Sequence, residues 1–225
     1  MRARTLPNGL RVHVLADRLT PTLAYFTTWR VGSRNERPGI TGISHLFEHM
    51  MFNGAKKHGP RAFDRVIESS GGASNAYTSH DLTAYHEVVP SEKLATILDL
   101  EADRMRDLDL TERNLLSERE VVKEERRMHS EESPVGALYE HLYAAAYMAH
   151  PYRWPVIGWM ADVAAISVPD IEDYFRLFIK VPCTIYVRQM NNAINLITCF
   201  HNCAKLTDIS LYKVNALHLL SQSVQ

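Results

Sequence analysis

The chain has 225 residues, of which 46% are hydrophobic and 23% are charged, and its formal net charge is −1. This composition is typical of a globular protein, and the near-neutral charge excludes the basic surface with which proteins bind nucleic acids or anionic membranes. No apolar stretch approaches the roughly 18 residues needed to span a bilayer.

The order of the predicted elements indicates the fold class. Alternating, β-branched and aromatic residues predict the strands Leu10–Leu15, Thr22–Val31, Ser74–Tyr77 and Thr83–Val89. Helical periodicity and capping residues predict helices from Thr41 or Ser44 to about Phe52, over Arg61–Ser70, Ser91 to about Arg106, Thr111 to about Glu132, then to about Tyr147, and from Pro169 to about Phe178. Strands followed by several helices predict an α+β fold with an antiparallel sheet covered by helices on one face.

Chemistry-bearing residues are concentrated in His45-Leu46-Phe47-Glu48-His49, a His-x-x-Glu-His pattern on a predicted helix. Residues four apart lie on one helix face, so the imidazoles of His45 and His49 can converge on one metal ion. Glu48 lies close to that face, where a carboxylate can hold a metal-bound water. The apolar neighbours indicate a substantially buried helix, in which unpaired His and Glu side chains would be costly. The pattern therefore predicts a metal site.

A catalytic zinc ion needs a third protein ligand and an open position for water. The acidic segment Thr111–Glu132 offers several glutamates, and spacing alone does not choose among them. Glu118 and Glu125 lie seven residues apart, two turns along one face, so one could bind the metal while the other supports a ligand histidine.

Several motifs resemble those of the pitrilysin or mitochondrial-processing-peptidase family, the insulinase-like zinc metallopeptidases, which carry an inverted zinc motif. The resemblance covers roughly residues 5–180. It rests on Leu6–Val12, Val31–Glu36, Gly42–Ser44 leading into His45, Gly71–Thr78 with Asp81, Thr83 and Tyr85, and His150–Gly158. It implies one domain of a clamshell-type metallopeptidase that binds one zinc ion per chain.

The resemblance also implies a role for each matching residue of the metal site. His45 and His49 would be zinc ligands, and Glu48 would be the general base that activates the bound water. Glu125 would be the third ligand, with the adjacent Glu124 as the competing assignment. Glu118 would be a further functional glutamate behind the ligands.

Two more matching residues imply how a substrate binds. Asn75 and Ala76 correspond to the edge strand of the family, to which an extended peptide adds as a further β-strand. On the residues alone, Gly71 and Gly72 followed by Asn75 would indicate a simple turn.

The last part of the chain differs in character. Residues 181–225 carry four of the 51 charged residues and all three cysteines. We therefore predict a catalytic domain over residues 1–180 and a divergent tail over residues 181–225, with the second homologous domain of the family absent. The tail is either a buried C-terminal strand-and-helix segment or a replaced or shortened continuation. Asn191-Asn192-Ala193 faintly resembles a loop of the family, and Cys199 to Cys203 has no partner pair that would complete a metal site.

Two functions stay open at this point. The first is a zinc-dependent endopeptidase that hydrolyses extended peptides or unfolded polypeptide segments. The second is a truncated or non-catalytic subunit that folds and associates with a partner chain without cleaving by itself. In either case we expect a homo- or hetero-oligomer, or a partner chain that supplies the missing half.

The predicted compartment follows from the first residues and the cysteines. The segment Met1–Gly9 lacks the apolar core of a signal peptide. Three cysteines, an odd number, argue against a disulfide framework and fit a reducing compartment. We expect a cytoplasmic protein as encoded, or a periplasmic or organellar one if the N-terminus is incomplete.

Overall fold

The computed structural model describes residues 1–17, 19–180 and 183–189, which form one mixed sheet and seven α-helices. The strands are β1 (Arg2–Thr5), β2 (Arg11–Ala16), β3 (Thr22–Trp29), β4 (Ala73–Thr78), β5 (Thr83–Pro90) and β6 (Cys183–Gln189). The α-helices are α1 (Ile43–Met50), α2 (Ala62–Ser69), α3 (Leu94–Asp107), α4 (Glu112–Arg126), α5 (Pro134–Ala146), α6 (Met160–Ala165) and α7 (Val168–Lys180). A π-helical segment, Arg127–Glu131, continues α4.

The strands lie in the order β1-β2-β6-β3-β5-β4. Every neighbouring pair is antiparallel except β2 and β6, which run parallel, so the sheet that the sequence predicts as antiparallel is mixed. β6 follows residue 180, where the sequence predicts a domain boundary, and it lies between β2 and β3 in the middle of the sheet. The boundary itself stays a prediction.

The two faces of the sheet differ in burial. Along β3, Leu23, Tyr25, Thr27 and Trp29 are buried, whereas the residues between them are at least partly exposed. The apolar ones, Leu23, Tyr25 and Trp29, form one core with residues of α1, α3 and α7. Since strand side chains alternate between faces, the helices cover one face and leave the other open in the described part of the chain.

On the open face an aromatic row crosses four strands. His13 of β2 lies opposite Tyr186 of β6, which lies opposite Phe26 of β3, which lies opposite His86 of β5. The rings of His13 and Tyr186 stack with centroids 4.9 Å apart, and those of Phe26 and His86 at 5.0 Å. Such cross-strand pairs are the usual side-chain contribution to sheet stability.

Two predicted features of the tail, Asn191-Asn192-Ala193 and the segment from Cys199 to Cys203, lie outside the described residues. Cys183 is a buried free thiol at the start of β6.

Within the described ranges, no helix is both long and apolar enough to cross a membrane.

Candidate metal centre

The start of α1 is held by a side chain from outside the helix. Gly42 precedes the helix with a φ of 88°, and it has no side chain that could cap the first backbone N–H groups. The Glu36 carboxylate accepts hydrogen bonds from the backbone N–H groups of Gly42 at 2.8 Å and Ser44 at 2.9 Å. Glu36 therefore does what an N-cap side chain normally does, and it fixes the turn that carries His45.

His45 and His49 lie one turn apart on α1 and face the same residue of α4. The Nε2 atom of His45 lies 3.7 Å from Oε2 of Glu125, and Nε2 of His49 lies 3.4 Å from the same oxygen. One ligand atom from each of the three residues lies within 4.8 Å of the others. The predicted ligands are thus brought together from two separate helices.

The spacing of these atoms can be compared with that of a zinc site. Zinc binds imidazole nitrogen and carboxylate oxygen at about 2.0–2.2 Å in tetrahedral geometry, which separates neighbouring donor atoms by about 3.4 Å. The two His–Glu125 distances, 3.7 Å and 3.4 Å, match that separation. Two imidazoles and one carboxylate are also a known donor set of catalytic zinc. The residues present therefore fit a zinc ion.

Glu118 lies behind the three ligand candidates. Its Oε2 atom is 3.3 Å from Nδ1 of His49, on the side of the ring opposite Glu125. This contact orients the His49 ring so that Nε2 faces the centre, as second carboxylates do for ligand histidines. The hydrogen bond with His49 also lowers the pKa of Glu118.

The electrostatics of the two histidines differ. Burial acts to lower the pKa of His49, but the hydrogen bonds and charges of Glu118 and Glu125 outweigh burial and raise it to about 9. Burial, and then the neighbouring His49, lower the pKa of His45 to about 4. Glu118 and Glu125 thus favour the protonated, positively charged form of His49, which lies between them.

The geometry distinguishes between Glu124 and Glu125, the two candidates for the third ligand. Glu124 forms an ion pair with Arg127 at 2.6 Å, and its side chain is 61% exposed. Glu125 points instead into the centre, between the two histidines. Adjacent residues on a helix point about 100° apart, so only one of the two can face α1.

Glu48 lies on α1 beside the ligand candidates, and only 8% of it is exposed. Its Oε2 atom accepts a hydrogen bond from the Thr78 hydroxyl of β4. Burial raises the pKa of Glu48 above its ordinary value, although Thr78 and His49 act in the opposite direction. A carboxylate whose pKa is raised toward neutrality is suited to accept and return a proton.

A cleft of about 580 Å³ opens beside the centre. It is lined by all of the candidate site residues and by Phe52, Asn53, Arg61, Asp64, Tyr77 and Thr78. β4 is the last strand in the sheet order, so among the described strands one of its edges has no neighbour. Asn75 is exposed there, Ala76 is partly buried, and the Asn75 Oδ1 atom accepts a hydrogen bond from the Ala76 N–H at 2.8 Å.

Two residues of this arrangement received no role from the sequence. Glu36 holds the start of α1, and Thr78 holds the carboxylate of Glu48. Both lie in segments that carry the family resemblance. Hydrogen bonds between distant segments leave no spacing pattern, so no signal in a single sequence identifies these two contacts.

Comparison with known proteins gives a family match over most of the chain. The model of the family described as insulinase, peptidase family M16, matches residues 20–158. Zinc protease PqqE of Helicobacter pylori is 36% identical over 219 residues, which cover 97% of this chain and 47% of that protein. The probable mitochondrial-processing peptidase subunit beta of Arabidopsis thaliana is 31% identical over 176 residues, covering 78% of this chain and 33% of that protein.

A solved structure agrees with the sequence matches. The crystal structure of a protease from Helicobacter pylori has a TM-score of 0.86 and 34% sequence identity, and the match covers 92% of this chain and 50% of that one. The chain thus spans about half the length, or less, of these relatives.

Proposed function

Because the chain belongs to the insulinase family, peptidase family M16, we propose that it is the zinc-binding half of an endopeptidase that hydrolyses extended peptides or unfolded polypeptide segments. The observation that carries this proposal is the convergence of His45, His49 and Glu125, with the buried Glu48 beside them. Three protein ligands leave a fourth position of a tetrahedral ion for water, as hydrolysis requires.

Each side chain of the candidate site has a separate role in the proposed reaction. His45, His49 and Glu125 would hold the ion, which when bound would supply Lewis-acid activation of a water and of the scissile carbonyl. Glu48 accepts the proton of the attacking water on its carboxylate and returns it to the nitrogen of the leaving amine as the C–N bond breaks. Glu118 orients His49 and completes the catalytic set.

The substrate binds along β4 as an added strand. Asn75 and Ala76 lie in the cleft on the strand whose outer edge has no neighbour among the described strands. Pairing with such an edge uses the backbone of the peptide, which favours an extended segment over a folded protein.

A second half, in the same chain or in a partner, completes the enzyme. The relatives are two to three times as long as the part that this chain matches, and one of them is named as a subunit. On α5, Val135, Leu138, Tyr139 and Leu142 recur at helical spacing and are 54–65% exposed. An apolar stripe that faces solvent is typical of an interaction surface.

The test is cleavage of an unstructured fluorogenic peptide by the purified chain beside Glu48→Gln, with the zinc content of both proteins measured. Cleavage that a chelator abolishes and that Glu48→Gln lacks is the expected result. If zinc is bound at about one ion per chain and neither protein cleaves, the ligand assignment stands and activity requires the second half. A chain that binds no zinc, or a Glu48→Gln protein that cleaves as well as the unmodified one, would contradict the proposal.

A further inference from the structure

Thr78 links the strand that borders the cleft to the carboxylate of Glu48. It is the last residue of β4, and its hydroxyl donates a hydrogen bond to Oε2 of Glu48 on α1. No other side-chain hydrogen bond to the Glu48 carboxylate is present among the described residues. The position of that carboxylate therefore depends on a residue of a different element.

The backbone around Thr78 is firmly placed. Thr78 pairs with Thr83 at the end of the β4–β5 hairpin, and Thr83 is fully buried and donates its hydroxyl to the carbonyl of Val31 at 2.9 Å. The next residue, Ser79, donates its N–H to the carbonyl of Leu82 at 2.8 Å. These bonds fix the backbone on either side of Thr78, and the Thr83 hydroxyl also lies 3.4 Å from the Thr78 hydroxyl.

The alternation of side chains along β4 relates Thr78 to the edge of the strand that borders the cleft. Side chains alternate along β4, so Ala76 and Thr78 share the face that points toward α1, whereas Asn75 and Tyr77 are more exposed. A peptide that pairs with the outer edge of β4 would take its register from the same strand that holds Glu48. The Thr78 hydroxyl would thus fix the position of the Glu48 carboxylate relative to the peptide bond of a substrate bound along β4.

We propose that Thr78 is a positioning residue for Glu48: it orients the carboxylate toward the metal centre and keeps it in register with a peptide bound along β4. The inference rests on the proposed function, because it assigns Glu48 the role of the base. Thr78 itself does not touch the reacting atoms. Displacement of a reacting group by about 1 Å can reduce a rate by about 100-fold.

The test compares Thr78→Val, which keeps the side-chain shape without the hydroxyl, with Thr78→Ser, which keeps the hydroxyl. We expect Thr78→Val to lower kcat by about 10- to 100-fold with KM within about twofold, and Thr78→Ser to restore kcat to within about threefold. Thr28→Val is the matched control, since Thr28 is a strand residue whose hydroxyl donates to the Thr184 carbonyl away from the cleft. Its kcat should equal that of the unmodified protein.

A second measurement does not depend on activity. Crystal structures of the zinc-loaded variants should place the Glu48 carboxylate in a different rotamer in Thr78→Val and in the original one in Thr78→Ser. An unmoved carboxylate in Thr78→Val, or equal losses of kcat in both Thr78 variants, would overturn the inference. Zinc-loaded protein whose Glu48→Gln variant cleaves normally would contradict the proposed function instead, and the structures would still decide the role of Thr78.

Discussion

At the scale of single residues, the candidate metal centre depends on which of two adjacent glutamates faces α1. Glu124 and Glu125 are adjacent in sequence, so spacing alone leaves both as candidates for the third ligand. Only the packing of α4 against α1 distinguishes between them. Glu125 lies 3.4 Å from His49, whereas Glu124 is largely exposed and paired with Arg127. A surface ion pair of this kind contributes little to stability.

We therefore predict different effects of two matched substitutions on zinc affinity. Glu125→Gln should weaken zinc binding by at least about 100-fold. Loss of a carboxylate that only hydrogen-bonds to a metal ligand already lowers metal affinity by about 10- to 100-fold, and Glu125 is a proposed ligand itself. Glu124→Gln should leave the affinity unchanged within about twofold. Competition with a chromophoric zinc chelator measures both values, and a larger loss in Glu124→Gln than in Glu125→Gln would contradict the assignment.

At the scale of elements, β5 and α3 are joined by a buried cluster of charged side chains. The Arg104 guanidinium lies 3.3 Å from Oε1 of Glu87 and forms an ion pair with Glu101, and all three side chains are at most 3% exposed. The same guanidinium lies 4.3 Å from the ring centroid of Phe63. One guanidinium cannot neutralise two carboxylates. Burial, and then the charge of Glu101, raise the pKa of Glu87 well above its ordinary value.

This cluster predicts a pH dependence of stability. Because the pKa of Glu87 is higher in the folded than in the unfolded chain, its contribution to stability is complete below the unfolded pKa and is lost as the pH rises through the folded value. Glu87→Gln mimics the protonated side chain, so near pH 4, where the glutamate of the unfolded chain is also largely protonated, its free energy of unfolding should lie within about 1 kcal/mol of the unmodified value. At higher pH the unmodified protein should lose stability relative to Glu87→Gln.

Urea unfolding at pH values from about 4 to 9 measures that difference, because this range begins where the unfolded glutamate is largely protonated. Arg104→Met is the comparison, and it should cost about 3–5 kcal/mol because it leaves the buried carboxylates without their cation. If the free energies of unfolding of the unmodified protein and of Glu87→Gln change with pH in parallel over the whole range, Glu87 is not protonated in the folded protein and the prediction is wrong.

At the scale of the whole molecule, the sequence predicts local elements better than it predicts how they meet. The helix that carries His45 and His49 and the strands over β2, β3, β4 and β5 follow from periodicity, because that signal is local. The sequence does not predict the exposed strand β1, and it offers the central strand β6 only within one of the two interpretations of the tail, the buried strand-and-helix segment. Strand order depends on contacts between distant residues, and the low charge of residues 181–225 indicated a separate tail. The predicted long helix 111–132 is interrupted at Arg126 by a π-helical segment.

The exposed stripe of α5 predicts association of the isolated chain. Leu138→Glu combined with Leu142→Glu should reduce self-association while zinc binding is retained, because both side chains are more than half exposed and lie outside the metal centre. Ala95→Glu with Thr96→Glu adds the same charge to an exposed part of α3 and serves as control. Light scattering after size-exclusion chromatography gives the masses, and a monomeric unmodified chain would refute the prediction.

The central place of β6 has a consequence for how the protein is made. β2 and β3 leave the ribosome early, but the strand that joins them begins at Cys183, 154 residues after β3 ends at Trp29. At about 5–20 residues per second, translation takes roughly 8–30 s to reach it. Once Pro90 has been added and until β6 follows, the β1–β2 hairpin and the β3–β5–β4 sheet would be two nascent pieces with unpaired inner edges. Such edges attract other chains, so a nascent chain stalled before residue 183 should be a strong chaperone client, whereas one stalled well after residue 189 should not.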